Sequence, residues 1–162
     1  MKLSRIISGA QTGVDRAALD VALEVGIPCG GWVPQGRLDE CGIIPPQYSN
    51  LQETDSPQPE LRTELNVRDA DATLILSHGP LRGGSQYTAE KAVELGRPHL
   101  HVDMATISHA EAVAQILAWL AEIKPTVLNI AGPRHSVDPT IYAHAKTILK
   151  AVLLQLNSAI TA

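Results

Sequence analysis

Short apolar runs alternate with longer amphipathic stretches along nearly the whole chain, and this rhythm restricts the fold more than any other feature. Residues 5–8 (RIIS), 27–31 (IPCGG), 72–76 (ATLIL), 98–102 (PHLHV) and 127–131 (VLNIA) are short and mostly apolar. That is the pattern of strands buried on both faces. Between them, residues 15–25 set Ala18, Leu19, Ala22 and Val25 on one helical face. Residues 108–123 open with Ser-His-Ala-Glu, a capping box, and continue as a stripe of Val113, Ile116, Leu117, Leu120 and Ile123. A last helix is expected to start at Asp138-Pro139, with Ile141, Ala145, Ile148, Leu149, Val152, Leu153 and Leu156 at helical spacing. Strand–helix alternation with short connections predicts an α/β fold of the three-layer Rossmann-like type. It has a mainly parallel sheet of about five or more strands, with helices on both faces. The 162 residues suffice for a single such domain, 1–162, and no repeat or low-complexity segment divides it.

One segment breaks the rhythm. Residues 30–59 are rich in Pro, Gly and polar side chains and show little periodicity. A long loop inside a compact domain is usually functional or disordered. Trp32, Ile43, Ile44 and Tyr48 give this one apolar anchors, so an ordered cover over a ligand site is expected.

Composition narrows the partners. The formal charge is −4, no basic block offsets it, and aromatic residues are 3% with no Phe. Neither an electrostatic footprint for nucleic acid nor a base-stacking platform is expected. The two cysteines, Cys29 and Cys41, stand in no paired zinc-ligand pattern and read as reduced thiols. The opening MKLSRIISG lacks the apolar run of a signal peptide, and Glu111 and Glu122 interrupt or flank the longest apolar stretch. The expectation is a cytoplasmic protein without a membrane segment.

Three turns that follow strands could hold an anion. After the first strand, Gly9 and Gly13 allow tight turns, Gln11 lies between them, and Thr12 with Asp15 could cap the next helix. After the third, Gly83, Gly84 and Ser85 lead into a helix that carries Thr88 and Glu90. After the fifth come Gly132, Arg134 and Ser136, with Arg134 able to clamp a phosphate in bidentate fashion. Each turn alone also reads as a plain capped turn. In an open parallel sheet, however, such loops share one edge, where ligands bind. Local helix ends are worth about 0.3–1 kcal/mol each, whereas charges beyond about 8 Å are screened. A small phosphorylated ligand is therefore compatible with the net negative charge.

These residues resemble a known family. Residues 8–20 (SGAQTGVDRAALD) are similar to the opening of proteins named, by inference, as molybdenum-cofactor carriers within the Lonely Guy/lysine-decarboxylase-like (SLOG) superfamily. The resemblance continues through residues 30–37 (GGWVPQGR) and 62–75 (RTELNVRDADATLI). It returns at Gly83-Gly84-Ser85 with Thr88-Ala89-Glu90, and at residues 128–134 (LNIAGPR). Ala10, Gln35, Cys41 and Leu65 depart from the family's usual Gly, Lys, Asp and Trp. The resemblance implies a Rossmann-like fold, a homo-oligomer (dimer or tetramer), and binding of the molybdenum cofactor, molybdopterin, a pterin bearing a phosphate. It also points to a second reading. Superfamily phosphoribohydrolases, which cleave the N-glycosidic bond of nucleoside monophosphates, carry a glycine-rich motif ending in glutamate and an arginine in the preceding helix. Glu90 and Arg62 stand at those positions, although Gln86-Tyr87 replaces the motif's Gly-Thr. Three readings stay open: a carrier, a phosphoribohydrolase or nucleotide sensor, and an interaction module whose glycine turns are only structural.

Other residues carry weaker signals. His99 and His101 share a strand face and could pair on a metal or simply pack. His78 and His135 lie in ligand-side loops, as phosphate contacts or solvated residues. Cys41 could ligate molybdenum or be inert, and Trp32 could stack on a heterocycle or anchor its loop. Burial of Trp119 would hint at a subunit contact.

Overall fold

The strand that completes the sheet is supplied late in the chain. The computed structural model describes residues 3–161. In chain order its elements are β1 (Arg5–Ile7), α1 (Val14–Val25), β2 (Cys29–Val33), β3 (Leu38–Asp39), β4 (Gly42–Ile43), β5 (Leu51–Glu53) and α2 (Pro59–Asp69). There follow β6 (Ala72–Ser77), α3 (Gly83–Glu94), β7 (His99–Asp103), α4 (His109–Ile123), β8 (Val127–Ala131) and α5 (Ile141–Thr161). Six strands form one parallel sheet in the order β5-β2-β1-β8-β6-β7, and β8 pairs Leu128 with both Ile6 and Ala72. The fold is Rossmann-like α/β.

Burial explains the layers. Val14, Ala17, Ala18 and Val21 of α1, Ala112, Ile116 and Leu120 of α4, and Ile141, Ala145, Ile148 and Leu149 of α5 share one core with Leu74 and Leu76. Strand side chains alternate, so Ile75 faces the opposite layer, where α2 and α3 pack together. All six residues of β6 are buried, which accounts for its mostly apolar sequence, with Thr73 and Ser77 as the buried polar members. Small residues at Ala17, Ala18 and Ala22 let α1 pack closely on α5. The α4 start obeys its sequence: Ser108 Oγ accepts the Glu111 N–H at 3.1 Å. Trp119 is partly buried against the main core.

Two expectations are corrected. Residues 30–59 are not one loop: they contain most of β2, the small antiparallel β3–β4 hairpin and the edge strand β5. Of these residues only Pro59 lines the cavity described below. The last helix begins at Ile141 rather than at Pro139. Asp138 instead caps a tight turn, its Oδ1 accepting from both the N–H and the hydroxyl of Thr140. Among the described residues, no helix is long and apolar enough to cross a membrane.

Candidate functional site

The loops after β1, β6 and β8 meet the start of α2 at the carboxyl edge of the sheet, around a cavity of about 440 Å³. This is the crevice where open parallel sheets take ligands, and its volume suits a small molecule. The wall holds Gly9, Gln11 and Asp15 from the first loop and α1. The α2 segment gives Glu60, Arg62 and Asn66, and the loop after β6 with the start of α3 gives Arg82, Gly83, Gly84, Ser85 and Thr88. Gly132, Arg134 and Asp138 complete it.

The glycines differ in purpose. Gly13 has φ +81°, and a Cβ there would lie 2.2 Å from the Pro133 carbonyl oxygen, so the fold itself demands glycine. A Cβ on Gly84 would meet nothing within 4 Å. Nothing inside the chain requires a bare backbone at Gly84, yet it lines the cavity at the N-terminal turn of α3. That helix start has no side-chain cap, and with the Ser85 and Gln86 N–H groups bonded to the Arg82 carbonyl the N–H groups of Gly83 and Gly84 are the ones left for a ligand.

Deeper in the wall, Arg62 and Asp15 flank Gly9. An ideal Cβ on Gly9 would be 2.8 Å from Arg62 Nη1 and 2.9 Å from Asp15 Oδ2. Arg62 Nη1 donates to the Gly9 carbonyl at 2.9 Å, and its Nε donates to Thr63 Oγ1. Asp15 is 6% exposed, and its Oδ2 accepts the Gln11 N–H at 3.3 Å. Burial pushes the Asp15 carboxyl up to about 6, against the opposing pull of Arg62, the Gln11 N–H and Arg16. Burial likewise lowers the Arg62 guanidinium, while Asp15 and Glu60 work to keep it charged.

A family profile described as the circularly permutated YpsA SLOG family matches residues 6–153. The chain belongs to that family. A solved crystal structure with the same fold, that of the protein named Putative molybdenum carrier protein from Syntrophus aciditrophicus SB, is 48% identical in sequence. Its TM-score is 0.91, and the match covers 93% of this chain and 95% of that one. No curated protein matches significantly.

In this SLOG chain ten of the residues singled out from sequence line the cavity: Gly9, Gln11, Asp15, Arg62, Gly83, Gly84, Ser85, Thr88, Gly132 and Arg134. The Thr88 hydroxyl is spent on the Gly84 carbonyl at 2.9 Å. Arg134 is half exposed, with Nε 3.5 Å from Glu40 Oε2. Five other residues stand outside the lining. Thr12 does not cap α1, whose N-cap is Gly13 with no side-chain bond. The Thr12 hydroxyl donates to Glu40 and accepts the His135 N–H. Gly13 is buried in packing, and Ser136 is bound to Glu40. Trp32 neither covers nor stacks over the cavity: its indole N–H donates to Asp69 Oδ2 at 2.8 Å. Glu90 is exposed and accepts from Gln86 Nε2 at 3.2 Å, away from Arg62's wall. Cys41 is exposed on the hairpin turn, outside the lining.

The histidines rearrange the sequence picture. His101 Nε2 lies 2.6 Å from Ser77 Oγ, and among the described residues no group of three or more His, Cys, Asp and Glu could hold a metal. His78 is not a solvated loop residue. Its Nδ1 is 2.6 Å from Asp138 Oδ2 and its Nε2 is 3.0 Å from His144 Nδ1, forming a relay that leads from the cavity wall to α5. Sequence reasoning missed this relay and also missed Glu40. Glu40 and Ser136 are far apart in sequence, so only the folded chain reveals their contact. Arg82 was readable as the cation beside the Gly83-Gly84 turn.

Proposed function

We propose that this chain binds a phosphorylated heterocycle in the cavity at the carboxyl edge of its sheet, and acts as a carrier of the molybdenum cofactor, molybdopterin. The observation that carries this reading is the open backbone at Gly84, on an uncapped helix start that shares its cavity with Arg82 and Arg134. Helix N–H groups and arginines are the usual donors to a phosphate. The fit is through the phosphate and the ring; Cys41 lies outside the lining and supplies no thiolate to the metal. The family relative named as a molybdenum carrier supports the choice of cargo.

Native mass spectrometry tests this reading on protein purified gently from a host that makes molybdopterin. A retained pterin-phosphate mass supports the carrier. A nucleotide mass, or no adduct, removes the pterin assignment. The same spectrum reads subunit number, for which a homo-oligomer is our proposal.

One observation favours a second reading, hydrolysis or sensing of a nucleoside monophosphate: Arg62 is in the wall beside a carboxyl that burial holds near neutrality. Such a hydrolase would use Asp15 rather than the exposed Glu90, which lies outside the lining, to manage the proton of the attacking water. Release of free base and ribose phosphate from a panel of nucleoside monophosphates, lost in Arg62→Lys, would establish it.

A further inference from the structure

We propose that Asp15 and Arg62 together read one edge of the bound heterocycle, selecting rings with the acceptor–donor–donor pattern of a 2-amino-4-oxopyrimidine, as in pterin and guanine. This rests on the reading that the cavity takes a phosphorylated heterocycle. Both side chains line the cavity beside Gly9, and among the described residues they form no ion pair with each other. Each keeps an unused group. Asp15 Oδ2 accepts the Gln11 N–H, but Oδ1 has no hydrogen-bond partner among the described residues. Arg62 Nη1 and Nε are engaged with Gly9 and Thr63, but Nη2 has no acceptor among them.

Neither free group is cut off from solvent in the chain alone, since Arg16 Nε is the one buried polar side-chain atom without a partner among the described residues; a ligand that displaces water from Oδ1 therefore has to bring N–H groups in its place. A phosphate at that point would be repelled by Asp15, and a cation would be repelled by Arg62. The pair therefore suits a neutral edge that offers a carbonyl oxygen to Arg62 and adjacent N–H donors to Asp15. A 2-amino-4-oxopyrimidine carries these in one row: the oxo group, the ring N–H and the exocyclic amine. Adenine presents the reverse, an amine donor facing Arg62 and a ring-nitrogen acceptor facing Asp15, which leaves both protein groups unpaired. The anionic end of the ligand is then left for Gly84 and Ser85 at the start of α3, with Arg82 beside them.

The test is calorimetric titration of the wild-type chain with GMP, AMP and neopterin monophosphate at pH 7.5, repeated with Asp15→Asn. Binding of GMP and the pterin phosphate about tenfold to a hundredfold tighter than AMP is expected. In Asp15→Asn that preference should shrink to within about threefold, since one acceptor of the pair is replaced by a donor. Equal wild-type affinities for GMP and AMP would overturn the edge assignment while leaving the phosphorylated-heterocycle reading intact. So would a preference that survives in Asp15→Asn. Failure of all three probes to bind at millimolar concentration would overturn the underlying reading itself. Should that variant not fold, Arg62→Lys takes its place: the preference should shrink there too, and one that survives would overturn the assignment.

Discussion

Ser136 gives both of its hydrogen-bond donors to one carboxylate: its N–H donates to Glu40 Oε1 at 3.0 Å, and its hydroxyl to Glu40 Oε2. Glu40 also accepts the Thr12 hydroxyl and lies against Arg134. A single side chain on the β3–β4 hairpin thus ties together the loops after β1 and β8. Gln11 adds to the tie, its Oε1 accepting the N–H groups of Thr12 and Glu40.

Replacing Glu40 by Ala should cost about 2 kcal/mol, because several donors to a charged acceptor lose their partner together. The effect should depend on acidity. Burial pushes the Glu40 carboxyl up, but bonds from Ser136 and Thr12 with the charge of Arg134 outweigh it and hold the group below its ordinary value. A lowered folded-state pKa means the contribution is present at neutral pH and lost as pH falls through that lower value. Urea melts of wild type and Glu40→Ala should therefore converge in acid.

Asp15 runs the opposite way. Its carboxyl is raised from 3.8 to about 6, so the folded chain holds this proton more tightly than the unfolded one. Its contribution is most favourable below the unfolded value and is lost as pH rises through about 6. At pH 7.5 the ionised group costs on the order of 3 kcal/mol. Asp15→Asn should be more stable than wild type at pH 7.5 by up to about that amount, and by little at pH 4. A variant less stable than wild type at both pH values would show that burial does not dominate at this group.

Gly84 and Gly13 should separate under substitution. Gly84→Ala adds a helix-favouring methyl where no atom lies within 4 Å, so stability should hold or rise by up to about 1 kcal/mol. Ligand retention should fall. Gly13→Ala meets the Pro133 carbonyl and a positive φ, and should cost more than about 2 kcal/mol. Thermal melts with ligand titrations on the two variants read both effects.

His78→Ala should raise the Asp138 carboxyl toward its ordinary value. Burial already pushes Asp138 up, and the bonds from His78 and Thr140 are what keep it low. Carbon-detected NMR titration of the aspartate carboxyls would register the rise. An unmoved Asp138 would mean the Thr140 bonds suffice alone.

Elements whose neighbours are fixed by a repeating pattern were readable from sequence. Residues 127–131 form β8 with the bounds read from the apolar run, and Ser108 caps α4 as its spacing predicts. The hairpin and β5 are two or three residues long and largely exposed, too short to show an alternation. Ten of the fifteen site residues named from sequence line the cavity, because glycine turns after parallel strands must share an edge. The misses share a cause. Thr12, Trp32, Ser136 and Glu90 found partners elsewhere, three of them (Glu40 for Thr12 and Ser136, and Asp69 for Trp32) at separations that no local motif encodes.

The position of β8 has a consequence for synthesis on the ribosome. Until residues 127–131 emerge, β5-β2-β1 and β6-β7 are two separate slabs with no hydrogen bonds between them. The cavity wall is divided along the same seam, with Gly9 and Asp15 on one slab's loops and Gly83 and Gly84 on the other's. A nascent chain therefore owns neither a continuous sheet nor a complete cavity wall until Ala131 has emerged. A molecule held by that cavity could stabilise nothing earlier than that, so both slabs must survive on their own until the closing strand arrives.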